Sequence, residues 1–205
     1  MVGLRERNKA KRRQGILHAA QTLFREHGYG AVAVSDIAAA AGVAEGTVFN
    51  YFPAKGDLLL ELMVEENARV VARLETRSIS RDDDPRDTIA DFFLIVAQES
   101  FALVDRRTWR EVAALLITSA ESPFASRYLE LRAALKRSLV QLLIGLAKEQ
   151  AWPMADLGAL ADLLWRAFWG LFLFIIASDH LSPADLRRTM LRDITLLLPP
   201  QRDMP

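Results

Sequence analysis

The side chains best suited to chemistry are concentrated at the N-terminus, where cations dominate. Six basic residues occur within the first 13 positions, opposed only by Glu6: Arg5, Arg7, Lys9, Lys11, Arg12 and Arg13. The whole chain is neutral, yet residues 1–60 carry 8 basic and 5 acidic side chains, and residues 61–205 carry 18 and 21. A basic head on a slightly acidic body favours contact with a polyanion. A solvated N-terminal tail would have the same composition.

Residues that would build a catalytic or metal site are sparse. The 205 residues include no cysteine, which excludes disulfides, thiol catalysis and cysteine-ligated zinc. His18, His27 and His180 form no H-x-x-x-H pair. A nucleophile elbow and a phosphate-binding loop are also absent from the sequence. The sequence therefore predicts that the chain is not an enzyme and that it has no catalytic residue, metal site or cofactor.

The most apolar run of the chain, residues 167–178, is short. Its 12 residues contain no charge, but a membrane span needs about 20, so the run predicts a buried helix. The basic N-terminus leads into an amphipathic pattern and not into the apolar core of a signal peptide. We therefore expect a cytoplasmic protein that does not contact membranes.

Helical periodicity recurs along the chain, and strand patterns are nearly absent. Glycine, proline and Ser-Pro pairs mark the expected helix ends. These signals predict nine helices: one that ends at Gly28, then residues 34–41, 45–51, 55–77, 85–105, 106–118, 123–150, 155–178 and 183–198. The predicted fold class is therefore all-α.

Two of the predicted helices, residues 34–41 and 45–51, are short and are joined by a turn at Gly42-Val43. This pattern is typical of a helix-turn-helix motif. The second helix of such a motif presents its N-terminal half to base edges in the major groove, while the first crosses the phosphates. We predict a DNA-binding domain over residues 1–54, with a basic N-terminal arm, and a helical body over residues 55–205.

Residues 12–62 also carry the motif of a known family. The motif reads Ile16-Leu17-x-Ala19-Ala20-x-x-Leu23-Phe24, Gly28-Tyr29, Ile37-Ala38-x-x-Ala41-Gly42-Val43 and Gly46-Thr47-Val48-Phe49-x-Tyr51-Phe52-x-x-Lys55-x-x-Leu58. In these positions the chain resembles the TetR family of bacterial transcriptional regulators. The resemblance implies a homodimer that binds a double-stranded DNA operator, acts as a repressor and is released by a small-molecule effector. Beyond residue 62 only the number of helices and the position of the apolar helices agree with the family.

Four residues of the predicted recognition helix are suited to reading bases. Gly46 permits a close approach of the backbone, and Thr47 offers both a hydroxyl and a methyl group. Asn50 suits a bidentate contact with adenine, although a solvated surface amide is an equally good interpretation. Phe49 stands where the family usually has tyrosine, so it loses a phosphate-binding hydroxyl and keeps an apolar face that suits a thymine methyl.

Contacts with the DNA backbone are predicted at the helix ends. The resemblance assigns Tyr51 and Lys55 to phosphates, where they would fix register without reading sequence, and the six N-terminal cations add to them. Ser35 is either another phosphate contact or an alternative helix cap. Ala33 and Ala44 stand where the family usually has serine or threonine, and each missing cap costs about 1 kcal/mol. Residues 48 and 52 are predicted to be core.

Aromatic residues are concentrated in the predicted body. Phe124 and Tyr128, like Trp165 and Trp169, are four residues apart and so share a helix face. The resemblance implies a ligand pocket in this body, and aromatic walls suit an apolar or aromatic effector. Core packing is the alternative for each of these side chains. The predicted pocket residues are Phe93, Trp109, Phe124, Tyr128, Trp165, Phe168 and Trp169.

The last two predicted helices are the ones with which the family forms its dimer. The final helix carries an apolar stripe at i,i+4 spacing, and residues 171–176 are apolar on nearly every side. A helix that is apolar all round must be covered on every side, which agrees with the family's dimer. The predicted interface residues are Leu171, Ile175, Leu186, Met190, Ile194 and Leu198.

Two other classes of protein are compatible with the composition. An all-helical small-molecule carrier or enzyme without a DNA function would have the same apolar body, but would leave the basic cluster unexplained. A ligand-independent architectural DNA binder would use that cluster, with little sequence preference and a steep dependence on salt. A footprint on the DNA upstream of the gene would separate these classes from a sequence-specific regulator.

Overall fold

The computed structural model describes residues 3–75, 84–150 and 156–198. These residues form nine α-helices and no strand, which confirms the all-α class. The helices are α1 (Leu4–His27), α2 (Val34–Ala40), α3 (Glu45–Tyr51), α4 (Lys55–Glu75), α5 (Pro85–Leu103), α6 (Arg106–Thr118), α7 (Pro123–Gln150), α8 (Leu157–Ala177) and α9 (Pro183–Leu197).

The chain divides into two compact units. Unit 1 consists of Met1–Glu66 and Phe101–Leu129, and unit 2 consists of Asn67–Ser100 and Glu130–Pro205. Unit 1 therefore contains α1, α2, α3 and α6, and unit 2 contains α8 and α9. The predicted DNA-binding domain, residues 1–54, lies within unit 1. Its separation from the body at residue 54 stays a prediction.

Unit 1 packs the apolar faces of its first three helices together, and turns at glycine set their directions. The buried side chains of these helices and of the residue that follows them include Ile16, Leu17, Ala20, Phe24, Ile37, Ala38, Val48 and Phe52. Gly28 follows α1 with a φ of 81°, and Gly42 has a φ of 65° between α2 and α3. Both values lie in the region that favours glycine. The predicted turns and the two predicted core residues of the α3 region are confirmed.

The N-termini of the short helices differ in how their backbone N–H groups are satisfied. The Asp36 carboxylate accepts a hydrogen bond from the Ala33 N–H at 2.9 Å, within the first turn of α2. Asp57 does the same for the Ala54 N–H at 3.0 Å, at the start of α4. The N-cap residue of α3, Ala44, has no side-chain hydrogen bond to the helix. The recognition helix is therefore the least well capped of these three.

Unit 2 is held together by ion pairs between helices as well as by its apolar core. Arg187 on α9 contacts Asp87 and Asp91 on α5, each at 2.6 Å. On α7 and α8, Lys136 Nζ lies 2.7 Å from Asp162 Oδ1. The α8 side chains that face the core are Leu160, Ala161, Leu164, Phe168, Phe172, Ile175 and Ile176.

Helix α8 is longer and more apolar than its uncharged run suggested. It spans 21 residues with a hydropathy of 1.8, and it is the one helix of the described residues that could cross a membrane by length and composition. The uncharged run begins after Arg166, whereas the helix itself starts at Leu157, close to the predicted bounds of 155–178. A core helix of a soluble protein passes the same test, and the buried face of α8 packs inside unit 2.

Candidate nucleic-acid interface

Helix α3 has one buried side and one exposed side. Val48 is fully buried, whereas Gly46 and Asn50 are exposed and Thr47 is half-buried. Phe49 keeps 43% of its surface exposed. A Cβ atom built on Gly46 would meet no atom within 4 Å. The exposed side therefore combines an amide, a hydroxyl, an aromatic ring and unobstructed backbone, which are groups that can contact base edges.

The two predicted hydroxyl contacts are Ser35, on α2, and Tyr51, at the end of α3. Ser35 is exposed on the first turn of α2, and the N-cap of that helix is Ala33. Ser35 is therefore not the cap, and its hydroxyl is available to solvent. Tyr51 is half-buried at the end of α3, with its ring 6.5 Å from that of Phe52.

The basic cluster forms the first turns of α1. This helix begins at Leu4, so the predicted arm is helical and is not an unstructured tail. Five of its cations are exposed: Arg5, Arg7, Lys9, Lys11 and Arg12. Within the described part of the chain no ion pair neutralises these five. Arg13 differs, because it pairs with Glu61 at 2.7 Å and lies 5.1 Å from the centre of the Phe52 ring.

Lys55, the predicted phosphate contact, is bonded to the turn between α1 and α2. Its Nζ atom donates to the carbonyl oxygens of Tyr29, at 2.9 Å, and Val32, at 3.0 Å. The same atom lies 4.4 Å from the centre of the Tyr29 ring. An ammonium group has three donors, and this turn takes two of them. A contact between Lys55 and a phosphate stays a prediction.

The same turn is bonded to α6. The Tyr29 N–H donates to Oγ1 of Thr108 at 3.0 Å, and Thr108 is fully buried. The Tyr29 ring packs edge-on against Phe24, with 5.2 Å between centroids. Burial raises the pKa of the Tyr29 phenol, and the charges of Glu111 and Asp57 add to the increase. The phenol therefore stays neutral at pH 7.

Four of the seven predicted pocket residues form an aromatic cluster in unit 2. Phe93 stacks on Phe168 at 4.9 Å and lies 6.3 Å from Trp165, measured between ring centroids. A shallow cleft, open to solvent and with no enclosed space for even a water molecule, is lined by Ser100, Arg132, Trp165, Phe168, Trp169 and Phe172. Ligand pockets usually measure roughly 300–1,000 Å³. A ligand of ordinary size would therefore have to widen this cleft.

The other three predicted pocket residues belong to unit 1. Trp109 and Tyr128 are buried, and Phe124 stacks parallel to Tyr128 with 6.5 Å between ring centroids. None of the three lines the cleft in unit 2. The structure thus distributes the seven predicted residues over two units.

The predicted dimer residues face the core of their own chain. Five of them are buried: Ile175, Leu186, Met190, Ile194 and Leu198. The sixth, Leu171, is half-buried. The five buried side chains are covered by their own chain, so their place in a dimer contact stays a prediction. Apolar i,i+4 spacing identifies a face that is covered, but not what covers it.

A different side of α8 carries exposed apolar groups. Leu163, Gly170 and Phe174 are exposed, and Phe174 keeps 70% of its surface accessible. A Cβ atom on Gly170 would meet no atom within 4 Å. Near the end of α9, Leu196 and Leu197 are exposed as well. The sequence reasoning missed this strip, although the seven- and four-residue spacing of the α8 residues marks one helix face.

Two polar residues of the cleft were also missed. Arg132 is only 7% exposed, and Ser100 is buried. Arg132 follows Tyr128 by four residues and precedes Leu135 and Leu139 in a buried stripe of α7. A charged residue inside an apolar stripe was the available signal for Arg132. Ser100 offered none.

The N-terminal part of the chain matches a known family. Residues 16–62 match the family described as bacterial regulatory proteins, tetR family. The matched residues include α2 and α3 with the glycine turn between them. Residues 16–62 therefore form a TetR-type helix-turn-helix region. Its α2–α3 segment is therefore the helix-turn-helix by which the family binds DNA.

Similar proteins agree with this assignment. The chain is 34% identical to the fatty acid metabolism regulator protein of Bacillus subtilis (strain 168) over 89 residues. This alignment covers 43% of each protein. The chain thus matches less than half the length of that relative. The structure of the fatty acid degradation regulator FadR from Bacillus halodurans has a TM-score of 0.66 and 23% identity, over 92% of this chain and 99% of that one.

A second solved structure has the same fold. It is described as a transcriptional regulator from Saccharomonospora viridis in complex with choline, with a TM-score of 0.66 and 21% identity. The superposition covers 91% of this chain and 96% of that one. At such identities these structures establish the fold of the chain and nothing about its ligand.

Proposed function

We propose that this chain is a TetR-family transcriptional repressor that binds its operator as a homodimer and leaves it when a small apolar or aromatic effector binds. The observation that carries the proposal is the exposed side of α3, with the five exposed cations of α1 in the same unit. Phosphates attract the cations whatever the sequence, and α3 supplies groups that distinguish bases.

Base reading is assigned to the exposed side of α3. Asn50 would bind the N6 and N7 atoms of an adenine, and Phe49 would contact a thymine methyl. Thr47 offers its methyl to a base or its hydroxyl to a phosphate. Gly46 would let the start of α3 enter the major groove without a steric clash, since the space around it is empty within its own chain.

Backbone contacts are assigned to exposed groups on α1, α2 and α3. The cations Arg5, Arg7, Lys9, Lys11 and Arg12 would attract the phosphates, and the hydroxyls of Ser35 and Tyr51 would fix register. Arg13 is already paired with Glu61, so its contribution to DNA binding should be smaller than that of its neighbours.

DNA selection tests this proposal. Selection from a random duplex library should enrich a palindrome whose half-sites lie about one DNA turn, or ~34–36 Å, apart. Asn50→Ala should enrich a degenerate version of the same site. Arg25→Ala, a change at an exposed cation at the far end of α1, is the matched control and should enrich the wild-type site. Enrichment of no sequence would contradict the proposal and favour an architectural binder.

The dimer contact is assigned to the exposed side of α8 and the end of α9. Leu163, Gly170 and Phe174 supply an apolar surface on α8, and Leu196 and Leu197 supply exposed apolar side chains near the end of α9. The small Gly170 permits another helix to approach closely. The family's dimers support this assignment, and an exposed side chain as large as Phe174 loses much unfavourable hydration when a second copy covers it.

The effector is assigned to the cleft in unit 2. Its aromatic walls suit an apolar body, and the buried Arg132 together with Ser100 suits a single polar group on the ligand. The names of the Bacillus subtilis relative and of the Bacillus halodurans structure refer to fatty acids, which supports an effector with an apolar chain. A regulator of this kind would act in the cytoplasm, where it meets DNA.

Two dyes with the same ring system test the effector site. N-phenyl-1-naphthylamine is neutral, and 8-anilinonaphthalene-1-sulfonate adds an anionic group. Trp165→Ala should weaken both dyes, whereas Phe124→Leu, which changes a residue outside the cleft lining, should weaken neither. The bound dye should also lower operator affinity, by the roughly 5- to 150-fold typical of allosteric coupling. Saturable binding that leaves operator affinity unchanged would contradict the proposed switch.

A further inference from the structure

The turn between α1 and α2 contains carbonyl oxygens that are not bonded within a helix, and Lys55 donates to two of them. The turn covers residues 28–33. Its carbonyl oxygens at Tyr29 and Val32 both accept from the Lys55 ammonium, at 2.9 and 3.0 Å. The Tyr29 ring lies under the same ammonium at 4.4 Å, which adds a cation–π attraction. Three contacts from one side chain therefore fix the path of this turn.

The turn is also held from α6. The Tyr29 N–H donates to the Thr108 hydroxyl at 3.0 Å, and Thr108 has no exposed surface. Both the N–H and the carbonyl of Tyr29 are thus bonded to helices outside the helix-turn-helix, α6 on one side and α4 on the other. A backbone segment with both of its polar groups engaged has little freedom to rotate.

The position of this turn decides where the reading helices begin. Val32 is separated from α2 only by Ala33, the N-cap residue of that helix. Helix α3 follows α2 after the turn at Gly42, and the two helices pack against each other. A change in the path of residues 29–32 would therefore reorient α2 and α3 together.

We infer that Lys55 is a positioning residue, which acts with Thr108 to set the orientation of α2 and α3, and that it is not a ligand of a DNA phosphate. The inference rests on the proposed DNA binding by α3. The two bonds to the turn leave the ammonium one donor, so a stronger contact with a phosphate would require it to give up a bond to the turn. The family motif marks this lysine, but the motif alone does not say which partner the ammonium has.

The first experiment uses the full-length protein without DNA and measures hydrogen exchange of the segment that contains the Tyr29 amide. Lys55→Met removes the ammonium and keeps the length of the stem. We expect exchange of the Tyr29 amide to rise by about 5- to 30-fold, the factor by which a loss of about 1–2 kcal/mol of local stability shifts an equilibrium. Thr108→Val removes the acceptor without changing any charge and should have a similar effect.

Two further variants separate the effect of the bonds between Lys55 and the turn from the effect of its positive charge. Lys55→Arg keeps the positive charge, but its longer side chain and planar guanidinium do not reproduce the geometry of a compact ammonium bonded to both carbonyl oxygens. It should therefore fail to restore protection of the Tyr29 amide. Lys9→Met removes an exposed cation on α1 and should leave the exchange at Tyr29 unchanged.

The second experiment measures the affinity for the duplex that the wild-type protein enriches, as a function of salt. A lost phosphate contact flattens the slope of log affinity against log salt by about 0.9. Lys9→Met should flatten the slope in this way. Lys55→Met and Thr108→Val should lower the affinity at every salt concentration with the slope retained.

The inference is overturned if Lys55→Met leaves the Tyr29 exchange unchanged and flattens the slope, or if Lys55→Arg restores full affinity while Tyr29 stays unprotected. Either result would mean that Lys55 acts through its positive charge and not through its bonds to the turn. Failure of the wild-type protein to enrich any duplex would instead contradict the proposed function. The exchange measurements on the free protein would still decide whether Lys55 holds the turn.

Discussion

Two exposed phenylalanines, one on α3 and one on α8, lie in opposite surroundings. Phe49 is 43% exposed and shares its side of α3 with Gly46, Thr47 and Asn50, all small or polar. Phe174 is 70% exposed and shares its side of α8 with Leu163 and Gly170. The same side chain therefore stands in a hydrogen-bonding surface in unit 1 and in an apolar strip in unit 2.

The neighbours of an exposed ring indicate what will cover it. A ring among donors and acceptors suits a polar partner with occasional apolar groups, such as the thymine methyls in a major groove. A ring among leucine and glycine suits a second apolar surface, because an apolar patch of this kind usually marks a protein contact. Exposure alone would not separate the two cases.

A charge placed at each ring tests this distinction, and at Phe174 we expect the largest effect. Phe174→Glu would bury an uncompensated carboxylate in the proposed dimer contact, at a cost of about 3–5 kcal/mol. Sedimentation equilibrium should then show monomers. Phe49→Glu is the matched change and should keep the dimer while abolishing DNA binding through repulsion of phosphates. An unchanged dimer for Phe174→Glu would remove α8 from the interface.

The inward face of α9 should respond to truncation through folding. Ile194 is fully buried, whereas Leu196 is 80% exposed. Ile194→Ala should lower the free energy of unfolding by about 2–5 kcal/mol, measured by urea denaturation of the Phe174→Glu chain so that dimerisation adds nothing. Leu196→Ala in the same background should change it by less than about 0.5 kcal/mol. Equal effects would mean that the buried stripe on α9 has been assigned to the wrong side.

The helices and turns could be predicted from the sequence far better than the packing partner of each helix face. Gly28 and Gly42 end their helices where expected, because a positive φ has a local cause. The stripe that ends at Leu198 was correctly seen as covered, but its cover is the protein's own core. Periodicity is a property of one helix, and the partner of a helix face depends on the whole fold.

Polar partners were harder still to predict. The cations on α1 were recognised by their number, yet the pairing of Arg13 with Glu61 joins residues 48 positions apart. Lys55 was interpreted through the family's DNA contact, while its nearest acceptors are carbonyl oxygens of a turn 23 and 26 residues earlier. Backbone carbonyls leave no trace in residue types, so only the fold reveals such contacts.

Asn50 and Lys9 should distinguish base reading from charge neutralisation on the unit 1 surface. Asn50→Ala should weaken binding by about 1–3 kcal/mol through one base pair in each half-site. It should not weaken binding to operators in which that base pair has already been changed. Lys9→Ala should weaken all duplexes alike. Fluorescence anisotropy on a set of single-base operator variants makes the comparison. A uniform loss for Asn50→Ala would assign Asn50 to the backbone and would leave Phe49 and Thr47 as the readers.

The smallest predicted effect comes from the helix starts, which also differ between the units. In unit 2, Ser182 and Asp185 form a complete capping box at α9, whereas the N-cap residue of α3 in unit 1, Ala44, offers no side-chain acceptor. The backbone of Ala44 is already extended, with φ −71° and ψ 148°, as an N-cap requires.

Ala44→Ser should therefore raise the free energy of unfolding by up to about 1 kcal/mol, and Ser182→Ala should lower it by about the same amount. The gain at Ala44 is limited because the Thr47 N–H already donates to the Ala44 carbonyl at 2.8 Å, so a serine oxygen would compete for that donor. Thermal denaturation of the two variants measures both effects. A gain at Ala44 accompanied by weaker operator binding would mean that α3 must loosen at its start to enter the groove, whereas a gain with unchanged binding would make the missing cap a neutral departure from the family pattern.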